Sequence, residues 1–226
     1  MTLGATEYWK ERLTVPTYRV GAAAMYSGIS ASTVAAWHKR TLSPRESGSG
    51  LSFLQLIEVS VVAKMRKSGI KLAEIVRARD YFGATTGLDY PFAQVKFKTD
   101  GADILGELDD IDLAKSQLLA ANHSGQYIWR EMLTERLQEF NYDELGSVQL
   151  WNVAGIDKEI KIDPRIAFGE PQILGVRTGI LKSRWIAGHE VSDLADDFSI
   201  SESLVVEGLL FEGIDRDHPR LSVWIN

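Results

Sequence analysis

Residues 18–40 have the sequence YRVGAAAMYSGISASTVAAWHKR, and this stretch decides the expected fold. Its pattern predicts two short helices, the first over residues 20–26, separated by a turn at Gly28. Ser30 is placed to cap the second helix, because its hydroxyl can accept from the backbone N–H of Thr33. The stretch therefore predicts a helix-turn-helix, and an ordinary pair of core helices is the alternative.

The second of these helices has an inner and an outer face. Ile29 and Val34 have the spacing of a hydrophobic staple. Val34 and Trp37 form an apolar face that is expected to pack on the small alanines of the first helix. The other side chains are expected to point outward, where a helix can enter a DNA groove. These candidate DNA-binding residues are Ser32, Thr33, His38, Lys39 and Arg40.

The segment after Arg40, TLSPRESGSG, is rich in Ser, Gly and Pro, which is typical of a loop. A loop directly after a recognition helix can form a wing, and its Arg45 is a candidate contact to DNA phosphate. A plain surface loop is the alternative. Residues 51–67 then have apolar side chains at helical spacing, and a second short helix is expected over residues 72–82. Four basic side chains here are further candidates for the DNA backbone: Lys64, Lys67, Lys71 and Arg77.

Charge is distributed unevenly along the 226 residues, of which 45% are hydrophobic and which together carry a net charge of −6. Residues 1–80 contain 12 Lys/Arg and 6 Asp/Glu, whereas residues 81–226 contain 13 Lys/Arg and 25 Asp/Glu. A basic first third beside a helix-turn-helix favours phosphate contacts. The acidic remainder argues against nucleic acid there and allows a basic protein partner, and a solvated acidic surface is the alternative.

Composition and motifs exclude several classes of protein. The chain has no cysteine, no apolar run near the roughly 20 residues that span a bilayer, and no signal-peptide pattern at its start. We therefore expect a cytoplasmic protein that does not enter a membrane. No phosphate-binding loop or nucleophile elbow is present, and the four histidines are scattered. Asp109, Asp110 and Asp112 suggest the acidic first turn of a helix more than a metal site. We expect no catalytic residues, metal or cofactor.

Residues 18–82 resemble the winged helix-turn-helix of MerR-type regulators. The resemblance implies a dimeric DNA-binding module with residues 31–39 in the major groove. Such proteins usually have basic or aromatic side chains where this chain has Ser32, Ala35 and Ala36, so the other basic residues would do more of the positioning. The resemblance depends on Tyr18, Val20, Gly21, Ala24, Ser27, Gly28, Ile29, Ser30, Thr33, Trp37, Leu54, Ile57, Arg66, Gly69, Ile70, Leu72 and Ile75.

The middle of the chain is expected to link and dimerise the protein through an α+β region. Asp100-Gly101 between alternating side chains predicts a hairpin, and the hairpin would join later strands in a small central antiparallel sheet. The expected elements are a loop at residues 83–91, helices at 109–121 and 126–140, and strands at 148–153 and 159–162.

The sequence IDPRIAFGEPQILGVRTG, residues 162–179, resembles the beginning of a small antitoxin-like domain often called VapB-type. Three helices are expected after it, at residues 180–187, 191–198 and 202–211. Ser201 is placed to cap the third, and SISESLV at residues 199–205 repeats the pattern GISASTV at residues 28–34. This second helix-turn-helix has no Lys or Arg between Ile186 and Glu212, so we interpret it as a fold element or a protein-binding surface.

The last residues, GIDRDHPRLSVWIN, are expected to end in a strand, because Leu221, Val223 and Ile225 alternate with other side chains. The strand would belong to the protein's own sheet or be added to a partner's. Candidate partner-binding residues here are Arg216, Arg220 and Trp224, since arginines can reach the carboxylates of an acidic nuclease site.

The predicted fold class is α+β, mainly α. It combines an N-terminal winged helix-turn-helix (residues 1–82), a central α+β region (83–158) and a C-terminal three-helix, helix-turn-helix-like domain with a tail (159–226). The two resemblances together imply an antitoxin of a type II toxin–antitoxin module. It would silence a small PIN-like ribonuclease toxin and repress its own operon at operator DNA, as a homodimer within a hetero-oligomer. A MerR-like transcription regulator without a toxin partner is the alternative, and a pure interaction protein is a third class.

Overall fold

The first helix pair has the turn and the cap that its sequence predicts. Helix α2 spans Val20–Ser27 and ends where Gly28 takes a left-handed conformation with φ of 63°. Helix α3 spans Ala31–Arg40. The Ser30 hydroxyl accepts the backbone N–H of Thr33 at 3.1 Å and so satisfies one of the open donors at the start of α3. Both features are confirmed.

The computed structural model of the chain describes residues 8–40, 42, 48–94, 138–144 and 146–224. This part of the chain is α+β and mainly helical, with ten α-helices and two two-stranded sheets. The chain divides into two compact units, residues 1–149 and 150–226. Besides α2 and α3, the described helices of the first unit are α1 (Tyr8–Arg12), α4 (Phe53–Lys67), α5 (Leu72–Thr86) and α6 (Pro91–Gln94).

Helix α4 lies at the centre of the described part of the first unit, where it packs against α2, α5 and α6. It begins with a capping box between Ser52 and Gln55. Its buried polar side chains are all bonded, as burial requires. Ser60 Oγ lies 2.9 Å from Ser27 Oγ on α2. The fully buried Glu58 carboxylate accepts from Arg79 Nε of α5 at 3.2 Å.

A short backbone pairing connects the two ends of the α2–α3 segment. The Leu51 N–H donates to the Tyr18 carbonyl at 2.7 Å, and the Tyr18 N–H donates to the Leu51 carbonyl at 2.9 Å. The loop after α3 therefore returns to the start of α2. Its residues 43–47 lie outside the described residues, so the predicted wing and Arg45 stay predictions.

Two predicted elements of the first unit have different bounds in the structure. Helix α5 continues to Thr86 and ends at Gly87, which has φ of 70°, so the loop predicted from residue 83 begins too early. The Thr86 hydroxyl donates to the Phe82 carbonyl at 2.6 Å within this last turn. Phe140 was expected to end a helix, but it begins strand β1 (Phe140–Tyr142), which pairs with β2 (Val148–Trp151).

The reason for this strand is the turn that follows it. The Ser147 N–H donates to the Asp143 side chain at 2.8 Å, and the Asp143 N–H donates to the Ser147 carbonyl at 2.9 Å. These bonds close a hairpin between β1 and β2. The predicted hairpin at Asp100-Gly101, the helix at residues 109–121 and residues 126–137 of the next helix lie outside the described residues.

The second unit contains strands β3 (Gln172–Ile173) and β4 (Val176–Arg177), which are antiparallel, and one turn of 3-10 helix at Ala167–Gly169. Its helices are α7 (Thr178–Ile186), α8 (Val191–Phe198), α9 (Glu202–Phe211) and α10 (Pro219–Ser222). The bounds of α8 and α9 are confirmed, and α7 begins two residues earlier than predicted. The strand expected at residues 159–162 is reduced to single bridges, Lys161 to Gln172 and Ile162 to Trp151.

The C-terminal segment forms a helical turn where a strand was predicted. Pro219 occupies the first turn of α10, and His218 Nδ1 accepts the backbone N–H of Arg220 at 3.2 Å as its cap. Leu221 is fully buried in the core that α7, α8 and α9 form. The alternation of apolar residues was too short to decide between strand and helix, and proline with a capping side chain decides for the helix.

The predicted three-part division of the chain stays a prediction, because much of residues 83–158 lies outside the described residues. Among the helices that the structure describes, none combines the length and the apolar character needed to cross a lipid bilayer.

Candidate functional site

Helix α3 presents one small, polar stripe outward. Ser32, Ala35, Ala36 and Lys39 are all exposed and lie at i, i+3, i+4 and i+7, which places them on one face of a helix. Thr33 is half-buried beside them. The stripe ends in the positive charge of Lys39, and its small side chains leave the helix backbone accessible to a large, flat or grooved partner.

The opposite face of α3 is buried, and it includes His38. Val34 and Trp37 are buried as predicted. His38 was expected to point outward, but it is only 6% exposed. It lies four residues after Val34 and four before the buried Leu42, so it continues the inner face. The prediction of an exposed His38 is wrong, because its position on the helix outweighs its polarity.

Hydroxyl groups gather at the start of α3. Ser30 Oγ lies 2.8 Å from Ser32 Oγ and 2.8 Å from Thr33 Oγ1. The N-terminus of a helix carries partial positive charge, because its first backbone N–H groups point outward. Ser32 and Thr33, both predicted site residues, are thus brought together. Arg40 ends α3, and its side chain and all of Arg45 lie outside the described residues.

Basic side chains from α4 and α5 surround the first helix pair to different degrees. Lys67 is exposed, and a side chain at Gly28 would meet its ammonium at 2.7 Å, so this charge lies over the α2–α3 turn. Lys71 and Arg77 are also exposed. Lys64 is different, because it forms an ion pair with Glu139 and both side chains are about three-quarters buried or more. We therefore remove Lys64 from the candidate DNA contacts.

The acidic side chains of the second unit fall into two groups. Asp193, Asp196 and Glu202 are exposed on α8 and α9. Two others form bonds within the unit. Glu207 accepts the backbone N–H of residue 159 at 3.0 Å, and Glu212 accepts from the Thr178 hydroxyl at 2.6 Å. Asp193 also accepts the backbone N–H of Glu190 at 3.1 Å as part of the α8 cap. The first group is exposed to a partner, whereas the second holds α9 against neighbouring segments.

Arg220, predicted to bind a partner, is engaged within its own unit. Its Nη1 donates to the Trp185 carbonyl at 3.2 Å and its Nη2 to the His189 carbonyl at 2.7 Å. Its guanidinium lies 4.6 Å from the centre of the Trp185 ring and 3.3 Å from the Glu190 carboxylate. Trp224 is half-buried against the same core, and Arg216 is exposed. Of the three predicted partner residues, Arg216 alone is fully on the surface.

The segment before α7 contains an ion pair and two exposed apolar side chains that the sequence did not reveal. The nearly buried Asp163 carboxylate accepts from Arg165 Nε at 2.9 Å and Nη2 at 2.7 Å, and these hydrogen bonds raise the pKa of Arg165. After this Asp163–Arg165 ion pair, Phe168 is 73% exposed, and Leu174, which follows β3, is 66% exposed. An apolar residue next to glycine, as in AFG and LG, was the available sequence signal, and it is too common to indicate a surface.

Among the described residues, no group of three or more His, Cys, Asp or Glu side chains has an arrangement that could hold a metal ion. The carboxylates at residues 109, 110 and 112 lie outside them.

Comparison with known proteins identifies the fold. Neither a protein family nor a curated protein matches this chain. Its structure is similar to the crystal structure of Rv2018 from Mycobacterium tuberculosis, with a TM-score of 0.70 and 20% sequence identity over 88% of this chain and 99% of that chain. At this identity the likeness establishes a shared fold alone.

Proposed function

We propose that this protein is a DNA-binding antitoxin, which silences a small PIN-like ribonuclease and represses its own operon. The observation that carries the DNA-binding part is the two-sided character of α3. Val34, Trp37 and His38 bury one face, whereas the Ser32 to Lys39 stripe is exposed on the other. A winged helix-turn-helix of the MerR type would present its recognition helix in this way.

Electrostatics support DNA as the ligand of this stripe. The start of α3 favours an anion because of its outward N–H groups and its hydroxyls. Lys39 lies at the far end of the stripe, and Lys67 lies over the turn that precedes α3. Residues 1–80 carry an excess of six positive charges, whereas the rest of the chain is acidic. Phosphates would therefore be attracted to the helix-turn-helix region within residues 1–80 and repelled by the acidic remainder.

The test of DNA binding is the salt dependence of affinity for a duplex taken from upstream of the protein's own gene. Affinity should fall steeply with salt, and Lys39→Ala should lower the slope of log affinity against log salt by about one. Arg216→Ala removes the same charge from the acidic unit and should leave the slope unchanged. Binding that is weak and independent of salt would exclude DNA as the ligand and favour a pure interaction protein.

The acidic second unit supports a protein ligand. Asp193, Asp196 and Glu202 form an exposed acidic surface on α8 and α9, which suits a basic face of a second protein. Arg216 lies three residues before α10 and is exposed. It is the remaining predicted arginine that can reach an acidic nuclease site.

Co-expression with a PIN-like ribonuclease encoded beside the gene tests silencing directly. A stoichiometric complex without ribonuclease activity is expected. Arg216→Ala should restore part of that activity, and Arg216→Lys, which keeps the charge, should not. If Arg216→Ala silences the ribonuclease fully, Arg216 has no part in the interface.

The second candidate is a MerR-like transcription regulator without a toxin partner. It is favoured by the engagement of Arg220 within its own unit, because this removes one of the two arginines that the antitoxin hypothesis assigned to the nuclease. Purification from the native cell separates the two functions. A stoichiometric small protein that is toxic when expressed alone supports the antitoxin, and a homo-oligomer without a second protein supports the regulator.

A further inference from the structure

Backbone strain is concentrated in one segment of the second unit. The described residues include four non-glycine residues with positive φ, and three of them lie within residues 163–177. They are Ala167 at 51°, Phe168 at 58° and Leu174 at 49°. The left-handed conformation is unfavourable for side chains other than glycine. Strain of this kind persists where the rest of the structure enforces it, and it is often associated with function.

The strained residues carry the most exposed large apolar side chains of this segment. Phe168 is 73% exposed, Leu174 is 66% exposed, and Ile166 beside the first strained turn is 41% exposed. Burial in the protein's own core therefore does not compensate for the strain. Three large apolar side chains held toward solvent are typical of an interaction surface.

The segment is also held in place before any partner binds. At its start, the backbone N–H of Arg165 and its guanidinium both donate to the Asp163 carboxylate, at 2.8 Å and 2.7 Å. At its end, the Gln172 side chain accepts the backbone N–H of Gly175 in the β3–β4 turn. An ordered segment loses little conformational freedom on association, which favours binding.

We propose that this surface, defined by Ile166, Phe168 and Leu174, binds a second copy of this chain. The charges around it support a contact between copies. Residues 163–177 contain two carboxylates, Asp163 and Glu170, and two guanidiniums, Arg165 and Arg177, so their net charge is zero. A two-fold contact places the same patch against itself, and any net charge there would repel.

The acidic helices α8 and α9 are less suited to a contact between two copies than residues 163–177. Residues 187–212 contain seven acidic and no basic residues. Glu190, Asp197 and Glu207 form ion pairs with basic side chains from outside this range. The exposed Asp193, Asp196 and Glu202 would still repel the same groups of a second copy and attract a basic protein instead. The neutral segment and the acidic helices thus suit different partners.

The size of the surface fits a dimer interface. Phe168 and Leu174 are six residues apart, so the chain holds them within about 20 Å of each other. A standard interface of about 800 Å² per partner is roughly 30 Å wide, which is wide enough to include both. At the exposed fractions given above, the three side chains expose on the order of 300 Å². Because interfaces are a little over half apolar, two copies would bury about 1,100 Å² in all, near the lower limit of a specific interface.

Sedimentation of the full chain at micromolar concentration tests the proposal. We expect a dimer, and we expect Phe168→Gly with Leu174→Gly to weaken self-association about tenfold or more. At a concentration low enough for both proteins to be monomeric, the double variant should have the higher Tm, because glycine relieves the left-handed strain. Ile186→Ser is the matched control, since it removes another apolar side chain that is 64% exposed in the same unit and should leave the dimer intact.

Distances between copies locate the contact independently. Because the chain has no cysteine, Gly179→Cys and Asp196→Cys each give a single site for a spin label. Gly179 lies two residues after the neutral segment, is exposed and has room for a side chain, so this label leaves the charge of the segment unchanged. In the dimer, labels at 179 should lie within about 30 Å of each other, the width of a standard interface, and closer together than labels at 196. A monomer, a dimer that the double variant does not weaken, or a shorter distance at 196 would overturn the proposal. The proposal does not depend on DNA or toxin binding, so those tests can fail without affecting it.

Discussion

The helix pairs α2–α3 and α8–α9 are built on the same local plan. In each, the first helix ends at a left-handed residue, Gly28 with φ of 63° or Ser199 with φ of 53°. An isoleucine follows, and then a serine, Ser30 or Ser201, caps the second helix through its hydroxyl. Each capping hydroxyl also lies 2.8 Å from the hydroxyl of a serine two residues later. Two short sequences of similar pattern thus produce one geometry twice.

The two pairs differ in what the second helix carries. The sixth residue after the cap is Ala36 in α3 and Glu207 in α9. The first is exposed in a stripe without acidic side chains, and the second accepts a backbone N–H of residue 159. The same turn and cap thus fix the fold of both helix pairs, whereas the side chains that follow the cap differ in charge, and under the proposed function this difference selects the ligand of α3.

Placing a carboxylate at the sixth residue after the α3 cap should produce the largest effect, a loss of DNA affinity. Ala36→Glu gives α3 the acidic residue that α9 has at the same position, and it should lower DNA affinity roughly 10–100-fold by repulsion from phosphate. Ala36→Gln, of similar size and without charge, should retain most of the affinity. Titration of both variants with the upstream duplex measures the difference, and equal losses would assign the effect to size and not to charge.

Truncation of the staple valine should affect both pairs alike. Val34 and Val205 are each fully buried four residues after the capping serine. Replacement of either by alanine should lower the free energy of unfolding by about 2 kcal/mol, because buried methyl groups and their contacts are lost. Urea unfolding of the two variants tests the equivalence. A loss at Val205 with none at Val34 would show that the common plan does not stabilise the first pair.

Exchange of the left-handed residues should give the smallest effects, and they should have opposite signs. Ser199→Gly should stabilise the protein by about 1 kcal/mol, because a non-glycine residue is disfavoured at positive φ. Gly28→Ser should destabilise it by a similar amount. The new side chain would also displace the Lys67 ammonium, which is mobile enough to move at little cost. The shift in Tm measures both effects. Stabilisation by Gly28→Ser would show that the left-handed conformation at this position does not disfavour a side chain.

Local signals in the sequence predicted the turns and caps well. Gly28, Ser30 and Ser201 each act through bonds to residues no more than four positions away, so a short pattern contains all the necessary information. The bounds of α8 and α9 followed from the same signals. The α+β, mainly helical character followed from apolar spacing, which also reflects local geometry.

Predictions failed where residue type and position conflicted. His38 is polar but occupies the inward position between Val34 and Leu42, and the position decides. Arg220 is charged and was expected outside, but the carbonyls at the end of α7 and the Trp185 ring lie within its reach. The exposed Phe168 depends on strained backbone, which no periodicity indicates. Such features arise from contacts between distant residues, and a single sequence does not specify those contacts.

The Arg220 bonds have a consequence for local unfolding. Helix α10 contains four residues, too few to be stable alone, and Arg220 and Leu221 attach it to the rest of the unit. When α10 opens, the carbonyls of Trp185 and His189 lose a hydrogen-bond donor at the end of α7. We therefore expect the two segments to open together. Amide hydrogens at the end of α7 and in α10 should show one common free energy of opening in hydrogen exchange, although about 35 residues separate them in the chain.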